Sequence, residues 1–268
     1  NLCFNDLDNY AKSLEHAIST PLSKYENLGV KVDGEYRQLN ANLLQIENEY
    51  YSDIRPKRVT RPGQKPVHAL KEGGVEYVEV RNIDLNPFLP LGIDAQQSQF
   101  INAFLTWCLF SQSPVISDQE CEVIGINQAV VVRQGRKPGL MLQTCGGEKS
   151  LQSLGLDIIT NLRLVADVMP EKQHVLAAIS TMEARLKDAS LTPSAQVLAA
   201  MEQGNLSHHQ LSFELAQKHQ AYHLQQSLSL QRRQELSKQV SESIANQERI
   251  EAEQTEPFDD FLAAYLAQ

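Results

Sequence analysis

Glu79 and Arg81 stand two residues apart in the run GGVEYVEVRNIDLNPF, residues 73–88. Successive side chains of a β-strand point to opposite faces, so Val75, Tyr77, Glu79, Arg81 and Ile83 form one row. Glu76, Val78, Val80, Asn82 and Asp84 form the other, and neither row is purely apolar. A carboxylate beside a guanidinium is often a surface ion pair of little worth. The same two groups also supply an oxygen ligand for Mg2+ and a planar fork that matches phosphate oxygens, which are the requirements of phosphoryl transfer. Spacing alone favours the plain ion pair.

A second cluster lies in IENEYYSDIRPKR, residues 46–58, where Glu47, Glu49, Tyr50, Tyr51, Arg55, Lys57 and Arg58 fall within one short segment. Arg55, Lys57, Arg58, Arg61 and Lys65 follow one another with no acid between them. Such a run suits phosphate or nucleic acid. Sequence-independent nucleic-acid sites interleave cations with aromatics, and none occurs between Tyr51 and Tyr77, so a nucleotide phosphate is the better ligand and no nucleic-acid partner is expected. RQGRKPGL, residues 133–140, sets Arg136 and Lys137 in a Gly- and Pro-bounded turn without the GK[ST] ending of a P-loop. An exposed turn is slightly favoured there over a second phosphate contact. His219 and His223 have the i, i+4 spacing of a zinc pair, but no Glu follows His219 and the surroundings are polar, so a solvated helix face is expected. Motifs for Ser or Cys nucleophiles such as GxSxG are absent.

These residues need elements to hold them. LDNYAKSLEHAIST at 7–20 reads as a helix, followed by short strand candidates in VDGEYRQLN, LLQIENEYY and VEYVEVR separated by Gly and Pro. Asp94 caps a core helix marked by Phe100, Ile101, Phe104, Leu105 and Cys108. AVVVRQ at 129–134 reads as a strand closed by GRKPG, after which the chain reads helical almost to its end. Leu151 to Met169 form one amphipathic helix, and 192–204 another with Thr192 as N-cap, Pro193 in the first turn and Gly204 as its stop. Residues 207–254 predict a long solvated helix with a narrow stripe of Leu236, Val240 and Ile244, and Thr255 then caps a short one. The expected division is a sheet-rich portion over 1–144 and a helical portion over 145–268.

With 268 residues, 42% hydrophobic and 21% charged, the chain has ordinary globular composition, and its net charge of -9 argues against a general polyanion binder. Cys3, Cys108, Cys121 and Cys145 have neither paired nor zinc-like spacing, which suits a reduced, cytoplasmic protein. FINAFLTWCLF at 100–110 is too short to span a bilayer, so no membrane association is expected. The start, NLCFNDLDNY, resembles neither a signal peptide nor a natural initiation, which reads as a piece of a longer chain.

FNDLDNY, LLQIENEYYSDIRPKR, GGVEYVEVRNIDLNPF, the aromatic helix through Trp107, GRKPGL and TEPFDDFL together resemble the proteobacterial type of glutamate–cysteine ligase, in the same order as in that family. Departures concentrate between about 145 and 235. The resemblance implies an α+β fold in which an antiparallel sheet is curved into a funnel, as in glutamine synthetase, with substrates and Mg2+ inside and helices outside. The Glu79 and Arg81 row would then face a wet, metal-filled interior. It implies ATP-dependent ligation of the glutamate side-chain carboxylate to the cysteine amine through γ-glutamyl phosphate, the first step of glutathione biosynthesis. Glu79 becomes a metal ligand, Arg81 the phosphate-stabilising cation and Tyr51 part of the cysteine pocket. Arg55, Lys57 and Arg136 are phosphate candidates on charge alone, and Glu47 and Glu49 remain open as further carboxylates. The implied partners are glutamate, cysteine, ATP with Mg2+, and a missing N-terminal portion of the same enzyme, without which the chain is expected to be inactive. The alternative is a non-catalytic interaction module built on the Gln-rich helix.

Overall fold

The computed structural model describes residues 4–268, so the reading of Cys3 lies outside the described residues. In chain order the elements are α1 (Leu7–Ser19), α2 (Ser23–Glu26), β1 (Lys31–Val32), β2 (Glu35–Tyr36), β3 (Ile54–Lys57), α3 (Pro66–Gly73), β4 (Tyr77–Val80), α4 (Ala95–Phe110), α5 (Asp118–Gln134), β5 (Met141–Thr144), β6 (Gly147–Ser150), α6 (Leu151–Ala166), α7 (Lys172–Lys187), α8 (Pro193–Gly204), α9 (His208–Gln225), α10 (Leu230–Glu253) and α11 (Phe258–Leu266). The fold is α+β and rich in helix. Among the described residues each sheet has two antiparallel strands, and no sheet curved into a funnel is present. The chain divides into two compact units, one of residues 1–83 with 228–268 and one of residues 84–227. The expected boundary at 144/145 falls inside the second unit, between β5 and β6.

In the first unit Asp6 caps α1 by accepting the Asn9 amide at 2.7 Å. Tyr10, Ala11 and Leu14 then share one face of α1 and pack on Val67 and Leu70 of α3, with Leu7, Leu44 and Tyr50 around them. β1 and β2 are joined by Asp33 and Gly34, both at positive φ (54° and 87°), the two-residue turn whose twist suits a hairpin. α11 docks through buried Leu262, an edge-on contact of Phe258 with Tyr36, and Asp259, which accepts from Lys31 at 2.9 Å and from the Tyr36 hydroxyl. It begins after Pro257 rather than under a Thr255 cap.

In the second unit Asp94 caps α4 as expected, and α4, α6 and α7 bury Ala103, Ile159, Leu162, Ala166, Val175 and Ile179 together, with Phe104 and Trp107 alongside. Gly155 lets α6 approach α7 closely, since a Cβ there would lie 2.5 Å from the Leu186 side chain. Thr192 caps α8 with Pro193 in its first turn, and Asn205 ends it in the left-handed conformation.

Several expected elements differ. AVVVRQ is the end of helix α5, not a strand: Ser117 and Glu120 form a reciprocal capping box that launches the helix, and the preference of three consecutive valines for a strand does not outweigh its continuation. The stretch expected to be helical after GRKPG instead forms the β5–β6 hairpin, turned at Gly147 with φ of 103°. LLQIENEYY holds a 3-10 turn at Glu47–Glu49 in place of a strand, because both of its acids bond to backbone amides. The long helix over 207–254 is broken between α9 and α10, where Ser229 caps the second helix by accepting the Arg232 amide.

Candidate functional site

The antiparallel register of β3 and β4 pairs Arg55 with Glu79 and Lys57 with Tyr77. Directly opposed residues share a face, so Arg55, Lys57, Glu79 and Arg81 converge on one side of the ribbon. One carboxylate sits among three cations. Arg81 Nη2 donates to Glu79 Oε1 at 3.1 Å, and Lys57 Nζ lies 3.7 Å from Oε2. The hydrogen bond from Arg81, assisted by the charges of Arg81, Lys57 and Arg55, holds the Glu79 carboxyl below the usual range. Oε2 is buried and has no hydrogen-bond partner. It is the carboxylate oxygen on this face that no hydrogen bond occupies.

Tyr51 reaches the same group from the loop before β3. The Arg81 amide donates to the Asp53 carbonyl at 2.7 Å, which carries the pairing one residue past β4 and brings the Arg81 guanidinium to 5.2 Å from the centre of the Tyr51 ring. The ring itself is 73% exposed and open to a ligand. Arg55 is otherwise placed: it is only 6% exposed, its Nη2 donates to the Asn48 carbonyl at 3.2 Å, and its guanidinium lies 5.9 Å from the Tyr50 ring.

The remaining basic residues of the 55–65 run are engaged within the first unit. Arg58 donates to the carbonyls of Gly73 and Gly74 at the end of α3, Arg61 pairs with Glu72 at 3.1 Å, and Lys65 is buried over Tyr265. The acids of 46–58 are likewise structural. Glu47 is buried and Oε2 accepts the Val67 amide at 2.7 Å in the first turn of α3; burial pushes its carboxyl up, against the pull of that amide. Glu49 accepts from the Gln45 amide at 2.6 Å. Among the described residues no group of three or more His, Cys, Asp or Glu converges to hold a metal. Glu79 therefore fits a Mg2+ site as one contributor, not as the whole ligand set.

Arg136 belongs to the second unit, exposed in the turn after α5. His219 and His223, read from sequence as a solvated face, both donate from Nε2: His219 to the Pro87 carbonyl at 2.8 Å and His223 to the Pro90 carbonyl at 3.2 Å. They pin the end of the NIDLNPF motif at Pro87 and the loop just after it at Pro90. The signal was available, since i, i+4 residues share a helix face and carbonyls in a Pro-rich loop lack ladder partners.

Residues 1–131 match the family described as glutamate-cysteine ligase. The glutamate–cysteine ligase of Pseudomonas aeruginosa is 45% identical over 269 residues, 99% of this chain and 51% of the relative. Over its first 131 residues and along most of its length the chain is similar to glutamate–cysteine ligases. A second family member, from Pseudomonas fluorescens, is 41% identical over 268 residues, 99% of this chain and 50% of the relative. The crystal structure of glutamate–cysteine ligase from Francisella tularensis in complex with AMP is similar with a TM-score of 0.93 at 29% identity, over 99% of this chain and 53% of that one. The chain thus spans about half the length of the curated ligases it matches. Its resemblance to the ligase family runs through the β3–β4 ribbon that carries Tyr51, Glu79 and Arg81.

Proposed function

We propose that this chain contributes part of the active site of an ATP-dependent ligase that joins the side-chain carboxylate of glutamate to the amine of cysteine. The observation that carries the reading is Glu79, bonded through one oxygen by Arg81 and with the other facing Lys57 without a hydrogen bond, on a ribbon that resembles glutamate–cysteine ligases. The AMP complex of the Francisella ligase supports a nucleotide as co-substrate. A carboxylate is a poor acyl donor, because its leaving group would be oxide. Attack of a glutamate side-chain oxygen on the γ-phosphorus of ATP forms an acyl phosphate and releases ADP. The cysteine amine then attacks the acyl carbon, losing a proton as phosphate leaves.

On this reading Arg81 presents a fixed cation to the transferring phosphoryl group, where preorganised charge does most of the catalytic work. Tyr51 lines the cysteine pocket, with its hydroxyl available to the substrate and its ring beside the thiol. Glu79 is a ligand of Mg2+, which when bound neutralises phosphate charge and draws the polyphosphate into line. Lys57 and Arg136 remain candidates for phosphate contact. The further metal oxygens and the glutamate-binding groups come from elsewhere in the longer protein, and β3–β4 forms one ribbon of its funnel-shaped sheet. A cytoplasmic enzyme accords with the composition. The test is phosphate release by the full-length protein, which should require glutamate, cysteine and MgATP together. Release that ignores cysteine, or none at all, would reject the reading in favour of a non-catalytic module.

A further inference from the structure

Arg55 combines features that a surface cation would not have. It is over nine-tenths buried, no carboxylate of the described residues pairs with it within 4 Å, and its Nε lies buried with no hydrogen-bond partner. Taking a charge out of water is costly, and Glu79 across the strand pair answers this one only at longer range, so the contacts Arg55 does make weigh on its surroundings. Its contacts say on what. Nη2 donates to the Asn48 carbonyl, and the guanidinium carbon lies 5.9 Å from the centre of the Tyr50 ring, which packs against the core of the first unit. Asn48 and Tyr50 belong to the short segment that ends in Tyr51. Arg55 itself is fixed by the strand register opposite Glu79. The segment is tied on either side, before it by Glu47 to the first turn of α3 and after it by the Asp53 carbonyl to the Arg81 amide.

We propose that Arg55 is a positioning residue: from β3 it clamps the 48–50 backbone and so sets where the exposed Tyr51 ring stands beside Arg81, without touching substrate itself. The proposal rests on the ligase reading of Tyr51 given above. A guanidinium is needed, because its spread of N–H groups bonds a carbonyl while its charge stays near an aromatic ring, which the single ammonium of a lysine does less well.

The experiment uses the full-length protein with Arg55→Lys and Arg55→Gln, read by steady-state kinetics and by amide hydrogen exchange of residues 48–52. Both variants should raise the KM for cysteine about tenfold, leave the KM for ATP and for glutamate within about twofold, and speed exchange across 48–52. Arg55→Lys keeps the charge and is the variant to rely on if Arg55→Gln does not fold. A selective rise in the KM for ATP would mean a direct phosphate contact and overturn the proposal. Equal loss across all substrates with unchanged exchange at 48–52 would mean a general structural role and overturn it too. Failure of the ligase reading is a separate outcome, visible as a wild-type protein without cysteine-dependent turnover.

Discussion

At the residue scale, Glu79 and Arg81 were legible in the sequence because the pairing of β4 runs on to Arg81 without a bulge, so the two-residue period holds. Their shared face, their mutual hydrogen bond and the approach of Tyr51 follow from that period and from the pairing of β4 with β3. Burial was not legible. Arg55, Lys57, Arg58, Arg61 and Lys65 look alike as a run of charge, yet one clamps a backbone carbonyl inside the fold and another ends a helix, because those fates depend on carbonyls supplied by distant residues. Two substitutions separate the proposed roles. Glu79→Gln removes the charge but keeps the shape, and should lower MgATP-dependent turnover about a hundredfold, the scale usual for loss of one preorganised electrostatic group. Unchanged turnover and Mg2+ dependence would exclude Glu79 as a ligand. Tyr51→Phe removes only a hydroxyl and should raise the KM for cysteine more than those for ATP and glutamate; equal shifts in all three would give Tyr51 a structural role instead.

Among the elements, helices with a side-chain cap in sequence were read closely: Asp94 before α4 and Thr192 with Pro193 before α8 start their helices where expected. AVVVRQ failed because composition within six residues cannot see the capping box that starts the helix a dozen residues earlier. The core of α4, α6 and α7 yields a direct stability prediction. Leu162 is fully buried there, so Leu162→Ala should destabilise the second unit by about 3 kcal/mol, measured by chemical denaturation. A loss under about 1 kcal/mol would mean that the packing is looser than described. On the rim of the same helices Glu183 of α7 accepts from Lys187 at 2.6 Å and from Arg163 of α6, and these bonds hold its carboxyl below the usual range. A lowered folded-state pKa adds stability that is present above the ordinary carboxylate range and is lost as pH falls through the depressed value. Wild type should therefore exceed Glu183→Gln in stability at neutral pH by up to about 1 kcal/mol, as for partly exposed pairs. The gap should close in strong acid. A gap that persists or widens there would contradict the assignment.

For the molecule as a whole, the likeness to the ligase family was legible in short motifs in a fixed order, while the division into units was not. Residues 228–268 return to the unit formed by residues 1–83, a long-range association carried by Leu262, an apolar position of the terminal helix, and by Asp259 with Lys31 and Tyr36, a set of polar contacts with no local signature. The proposed chemistry also exceeds what these residues hold, since Glu79 alone cannot satisfy a cation that prefers six oxygens. The central claim is that the β3–β4 face belongs to a ligase that activates glutamate for cysteine. Its most direct measurement is mass-spectrometric detection of γ-glutamylcysteine made by the full-length protein from glutamate, cysteine and MgATP, alongside the Glu79→Gln variant. The account predicts product stoichiometric with phosphate from the wild type and a rate lower by about a hundredfold in the variant. Product formed equally fast by both proteins, or none from the wild type, would contradict it.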